Sequence, residues 1–255
     1  MESVISIFGR EIPLYGIFFY LGIAAAAVVA VFLRRRSEIE GLDIVGSGVY
    51  VMIGAVLGAK LLFLAVSADQ IIRESIPLLS VIKGGFVFYG GLAGGALGLF
   101  IYVKQYRMKL SRFADLYTTV LPLGHAFGRV GCFFAGCCYG IPWEHGYVYH
   151  RTFGTTPIGI PLLPVQLIEA GTLLLLFAVQ LLLFLRKKCA WQNTVVYFLA
   201  YPTVRFILEF FRGDSERGGL FGLSTSQWLS ILIICGLIII IAFHRRKSKK
   251  RTQSR

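Results

Sequence analysis

The residues best placed to do chemistry run from His125 to Gly140: His125-Ala-Phe-Gly-Arg-Val-Gly-Cys-Phe-Phe-Ala-Gly-Cys-Cys-Tyr-Gly140. Arg129 is the centre of this stretch. It stands near the end of a long apolar run, where a permanent charge is costly and therefore usually functional. His125 lies one helical turn before it, and glycines at 128, 131, 136 and 140 let backbone or ligand come close. A guanidinium is always charged and makes a two-pronged contact with phosphate. The chemistry implied is capture of an anion at the level of a lipid headgroup.

A second polar row lies downstream. Tyr201, Arg205, Glu209 and Arg212 are spaced four, four and three residues apart, which puts them on one stripe of a helix. Two readings of the stripe stand at this point: an ion-pair ladder between helices, or the lining of a polar cavity. Gln166 and Glu169, three apart on a third apolar run, share a face. Glu169 needs a cationic partner, and Arg129 or Arg205 can supply it.

The elements that position these groups are membrane spans. The chain has 255 residues, 56% hydrophobic and only 15% charged. A soluble domain carries about a quarter charged residues. Apolar runs predict seven helices: about 15–33, 44–66, 84–103, 113–132, 163–185, one carrying Tyr201–Arg212, and 227–243. The net charge of +13 comes from basic clusters at alternate span ends: Arg34–Arg36, Lys104–Arg112, Arg186–Lys188 and the tail from Arg245. That is a topology signal, with the N-terminus outside and the C-terminus inside, and not a nucleic-acid footprint. The expectation is one polytopic all-α membrane domain over residues 1–255. It has a small outer head at about 141–162, without strand pairing, and a basic cytoplasmic tail at 244–255. No removable signal peptide is read at the N-terminus.

Other polar positions have a structural and a functional reading. Tyr15 and Tyr89 suit an interfacial aromatic belt or a site wall. Lys60 suits snorkelling or a polar cavity. Gly54-x-x-x-Gly58 and the rows Gly90, Gly94, Gly98 and Gly91, Gly95 predict close helix packing. Asp115 is expected to pair with local bases. Cys132, Cys137 and Cys138 have a C-x4-C-C spacing that matches no standard zinc pattern, so packed thiols or a disulfide are expected, with no metal. The residues by themselves therefore describe a membrane protein with an anion site toward the outer leaflet. They do not tell an enzyme from a transporter.

The ordered motifs resemble the bacterial prolipoprotein diacylglyceryl transferase family. They are Pro13-Leu-Tyr15-Gly16, Tyr89-Gly90-Gly91-Leu92-x-Gly94, Gly128-Arg129-Val-Gly131 through Gly140, Pro164-x-Gln166-x-x-Glu169 and Tyr201-x3-Arg205-x3-Glu209-Phe-Phe-Arg212. The resemblance implies transfer of the diacylglyceryl group of phosphatidylglycerol to the lipobox cysteine of prolipoprotein signal peptides, releasing glycerol phosphate. It also implies a location in the bacterial plasma membrane, with the site on the extracytoplasmic side and no cofactor. Arg129 and Arg205 match the family's two essential arginines. Tyr15, Tyr201, Glu209 and Gly140 fall on positions that the family uses. Two departures stand out. Tyr89 replaces a family His regarded as a candidate base; it stands as a catalytic candidate at that position, with His125 and Glu209 as alternative proton acceptors. Cys132 replaces a family Asn, and with Arg129, Tyr15, Tyr201 and Gly140 it is a candidate for binding phosphatidylglycerol. The departures leave open a related transferase with another acceptor.

Overall fold

The computed structural model describes residues 4–7, 10–73, 85, 87–150, 156–186, 189–214 and 219–253. Seven helices lie among them: α1 Leu14–Ser37, α2 Gly41–Arg73, α3 Phe88–Gln105, α4 Leu110–Ala135, α5 Val165–Leu185, α6 Gln192–Glu209 and α7 Thr225–Gln253. Three short antiparallel pairs join them: β1 Val4–Ile7 with β2 Arg10–Pro13, β3 Pro142–Val148 with β4 Pro161–Leu162, and β5 Gly219–Leu220 with β6 Leu223–Ser224. Among the described residues, four segments are long and apolar enough to cross a membrane: Leu14–Ser37, Gly41–Asp69, Val165–Leu185 and Thr225–Phe243. Their exteriors carry exposed large apolar side chains such as Phe32, Leu61, Leu175 and Ile240. This is the architecture of a helical membrane protein, in which backbone polar groups are satisfied within each helix and apolar side chains face lipid.

The chain forms two compact units. The Val31–Ala114 unit is built on α2 and α3. A Cβ added at Gly58 would stand 2.8 Å from the Gly94 Cα, so the two backbones touch there and only glycine fits. The Gly91 and Gly95 row makes looser contact, with Ala55, Ala59 and Val51 at 3.4–3.6 Å from an added Cβ. Tyr102 donates to Asp43 at 2.8 Å, and Arg112 pairs with Glu38. Lys60 sends its Nζ to the Gly85 carbonyl at 3.4 Å and over the Phe63 ring. α2 runs on past the expected end of its apolar run at 66, and Asp69–Arg73 forms its last turn.

The second unit comprises Met1–Ala30 and Asp115–Arg255. Phe18 of α1 stacks on Phe134 of α4 at 5.1 Å. The buried carboxylate of Asp115 accepts from the Trp191 N–H at 2.9 Å, the Thr194 N–H at 3.0 Å and the Thr194 hydroxyl at 2.9 Å. It thus caps the N-terminus of α6 from α4, where free amides and the helix dipole favour an anion. Beside it, Asn193 donates to Thr119 Oγ1 at 2.9 Å and to the Gln180 carbonyl at 2.7 Å, and Gln180 returns a bond to the Asn193 carbonyl at 3.0 Å. This buried network ties α4, α5 and α6 together away from water, where an unmade hydrogen bond is costly.

The segment 141–162 also departs from expectation. Residues 142–148 and 161–162 do pair, with register shifts between Pro142 and Tyr147. Alternation is too short there for a strand to be read from sequence. What holds the pair is an aromatic core of Phe133, Tyr149 and Leu162, with Tyr139 and Tyr147 packed on it.

Candidate active site

α4 continues past its expected end at Cys132 and stops at Ala135, where Gly136 takes φ 65° and turns the chain. This geometry leaves Arg129 about two turns before the helix end. Its Nη2 donates to Glu169 Oε1 of α5 at 3.0 Å, with side-chain exposures of only 13% and 1%. The Tyr201 hydroxyl of α6 donates to the same carboxylate oxygen at 3.3 Å. One buried oxygen of Glu169 therefore ties three helices together. The ring of His125 meets that of Tyr201 edge-on at 5.0 Å, and Tyr201 stacks on Tyr197.

Arg205 has its own carboxylate. Its Nη2 lies 2.6 Å from Glu209 Oε2, one turn further along α6, and donates to Ser226 Oγ of α7 at 3.3 Å. The charges of both Arg129 and Arg205 act on His125 and on Tyr201. Among the described residues, each arginine keeps one buried nitrogen without a hydrogen-bond partner, Nε in Arg129 and Nη1 in Arg205. A buried guanidinium N–H left unmade is costly, and native proteins rarely tolerate one without a use. Two such donors on separate helices make a receptor for an anion with several oxygens.

The stripe read on α6 needs one correction. The helix ends at Glu209, so Arg212 lies beyond it, on the turn that leads to Gly213. Arg212 grips Asp214 with two prongs, Nε to Oδ1 at 2.9 Å and Nη2 to Oδ2 at 2.8 Å. Burial opposes its charge, but the Asp214 carboxylate and the Cys138 thiol hold its affinity for the proton above the usual arginine value. Its backbone pairs with Gly140, where Ile141 N–H reaches the Phe211 carbonyl at 3.0 Å and Gly213 N–H reaches Tyr139 at 3.0 Å. A Cβ at Gly140 would stand 2.6 Å from Val165 Cγ2, so Gly140 serves close packing of this segment against the start of α5. Gly128 differs: an added Cβ there meets nothing within 4 Å.

Gln166, one turn before Glu169, donates to the Cys137 carbonyl at 2.7 Å and to the Tyr149 hydroxyl at 3.4 Å. Tyr149 passes the contact on to the Phe133 carbonyl at 3.2 Å, and burial pushes its phenol above the ordinary tyrosine range. Cys132, Cys137 and Cys138 are free thiols, so the disulfide alternative is not formed. Tyr15 is 43% exposed at the start of α1, stacked on Phe19. Tyr89 stands on the second residue of α3 and belongs to the Val31–Ala114 unit; the cluster described here is built from the other unit alone.

Thus His125, Arg129, Tyr201, Arg205 and Glu209 gather as the sequence suggests. Glu169, Gln166 and Tyr149 join them. The signal for Glu169 and Gln166 was their shared face on an otherwise greasy helix. Tyr149 had no local signal.

A family profile described as prolipoprotein diacylglyceryl transferase matches residues 2–243. The chain belongs to that family. It is 31% identical over 255 residues to phosphatidylglycerol–prolipoprotein diacylglyceryl transferase 2 of Clostridium perfringens, covering 96% of each chain. It is 36% identical over 239 residues to the phosphatidylglycerol–prolipoprotein diacylglyceryl transferase of Clostridium tetani, covering 91% of this chain and 94% of the relative. A third relative, from Finegoldia magna and of the same name, is 30% identical over 243 residues, with 94% and 95% covered.

Proposed function

We propose that this protein transfers the diacylglyceryl group of phosphatidylglycerol to the lipobox cysteine of a prolipoprotein signal peptide, with release of glycerol phosphate. The observation that carries the proposal is the pair of buried arginines, Arg129 on α4 and Arg205 on α6. Each is anchored by one carboxylate and, among the described residues, each keeps one buried nitrogen unpartnered.

In the reaction the acceptor thiolate attacks the glyceryl CH2 carbon bonded to the phosphate ester oxygen. The C–S bond forms, the C–O bond breaks, and the electron pair leaves on the phosphate oxygen. Negative charge moves from the incoming sulfur to the departing glycerol phosphate. Arg129 and Arg205 bind the phosphate in the lipid and stabilise it more strongly as that charge builds, which lowers the barrier. Glu169 and Glu209 hold the two guanidinium groups in place, so little reorganisation is needed at the moment of transfer.

The thiol proton must leave for the sulfur to become nucleophilic. His125 takes it. Its ring belongs to the Tyr201–Glu169–Arg129 cluster, whereas Glu209 is committed to Arg205 2.6 Å away. Tyr201 orients Glu169 and borders the headgroup, with Tyr15 and Cys132 on its approach. The open space over Gly128 is where the glyceryl backbone passes.

In this reading the chain crosses the membrane seven times, with its N-terminus outside and its basic clusters inside. The site then opens toward the extracytoplasmic side of the bacterial plasma membrane, where acceptor cysteines emerge.

The test supplies labelled phosphatidylglycerol and a lipobox peptide to membranes carrying the protein. Label moves to the peptide cysteine and glycerol phosphate appears in equal amount. Arg129→Ala and Arg205→Ala each abolish both products while still inserting. Full activity in both variants overturns the proposal. Bound lipid that is never cleaved by the unaltered protein marks a carrier instead.

A further inference from the structure

The spacing of Cys132, Cys137 and Cys138 matches no zinc motif, yet the fold brings the three thiols together. Their sulfurs all lie within 4.8 Å of one another, and all three side chains are half-buried. The turn that gathers them is held from several sides. Cys137 N–H bonds to the Cys132 carbonyl at 3.2 Å, and Gly136 takes φ 65°. Gln166 clamps the Cys137 carbonyl at 2.7 Å, and Thr156 clamps the Gly136 carbonyl. Cys138 itself adopts φ 60°, a conformation that is unfavourable for a residue with a Cβ and persists only where its surroundings impose it.

We propose that this turn is a binding site for a soft, thiophilic metal ion of the monovalent copper or cadmium class, held by the thiolates of Cys132, Cys137 and Cys138. Sulfurs bound at about 2.3 Å to one ion stand roughly 4 Å apart in a three-coordinate site, so only a slight closure of the observed cluster is needed. Among the described residues no carboxylate or imidazole joins the group. An all-sulfur donor set selects soft ions and rejects magnesium and calcium. Three thiolates carry more negative charge than one such ion neutralises. Arg212, whose backbone pairs with Gly140 two residues beyond Cys138, brings a positive charge to the same turn. Binding displaces the thiol protons to solvent as the metal–sulfur bonds form, with no change of oxidation state. The site does not depend on the transfer reaction, and its test reads metal alone.

The full chain, purified in detergent, reduced and freed of metal, is titrated with cadmium(II). The sulfur-to-cadmium charge-transfer absorption rises and saturates at one ion per chain. Cys137→Ser and Cys138→Ser each weaken binding by more than about 100-fold, since loss of a direct ligand exceeds the 10–100-fold cost of losing an outer-shell partner. The Cys189→Ser and Cys235→Ser variants, whose thiols are exposed elsewhere, retain the band. Thermal unfolding verifies that each variant is folded. An absent band in a protein whose thiols react fully with a thiol reagent after denaturation overturns the proposal. A band of full strength in the folded Cys132→Ser, Cys137→Ser, Cys138→Ser triple variant overturns it as well.

Discussion

Arg129 of α4 and Glu169 of α5 form an ion pair of 3.0 Å that is almost wholly withdrawn from solvent, and the Tyr201 hydroxyl of α6 shares the same carboxylate oxygen. A pair of this kind contributes modestly to stability when intact, but removing one partner leaves a buried charge uncompensated. Glu169→Ala is therefore expected to cost about 3–5 kcal/mol of stability and to abolish transfer, because Arg129 loses its anchor. Glu169→Gln keeps an acceptor for Tyr201 and restores part of the stability but not the activity. Denaturant unfolding in detergent and the labelled-lipid assay measure the two effects separately.

Arg129→Lys tests the two-pronged contact rather than the charge. Lysine keeps the cation but lacks the planar fork. The variant is expected to insert normally and bind phosphatidylglycerol more weakly, with transfer reduced by at least about a hundredfold, the scale set by loss of one preorganised donor. Near-full activity in Arg129→Lys would show that a point charge suffices.

His125 separates chemistry from binding. As proton acceptor it makes its contribution in the transition state, so His125→Gln lowers kcat by about 10²–10⁴ and leaves KM for phosphatidylglycerol little changed. Tyr89→Phe, by contrast, retains transfer. An inactive Tyr89→Phe together with an active His125→Gln would reverse the assignment.

Asp115 offers a structural control. Its carboxylate accepts three bonds from Trp191 and Thr194 at the N-terminus of α6. Asp115→Ala leaves these donors unmet and is expected to cost about 1–3 kcal/mol. The specific activity of the folded fraction stays unchanged. A lower melting temperature with unaltered KM checks this.

The glycines at 128 and 140 give opposite expectations. Gly140→Ala forces a Cβ to within 2.6 Å of Val165 Cγ2 and destabilises the protein. Gly128→Ala meets nothing within 4 Å and raises helix propensity, so stability holds or increases by up to about 1 kcal/mol. If the lipid passes over Gly128, transfer falls in that variant with no loss of stability. Unchanged transfer in Gly128→Ala would remove Gly128 from the lipid's route.

Much of this protein was legible in order along the chain. Apolar runs marked the helices, and the polar residues Arg129, Glu169 and Arg205 within them marked the candidate site. These are local properties: hydrocarbon excludes unsatisfied polar groups, so each exception in a span is conspicuous. Helical periodicity also placed Tyr201, Arg205 and Glu209 on one face. Pairing through space was not legible. Glu169 had two candidate arginines, and only the packing of α4 against α5 and α6 chose Arg129 for it, leaving Arg205 to Glu209 on its own helix. The same periodicity carried the stripe too far, to Arg212, because it holds no record of where α6 stops and the chain turns back to Gly140. That Asp115 meets the amides of Trp191 and Thr194 was not legible for a similar reason, since a helix terminus from a distant segment has no signature at position 115. The three thiols are the sharpest case: their spacing is uninformative, and their closeness is created by the left-handed backbone at Gly136 and Cys138, which the tertiary contacts impose.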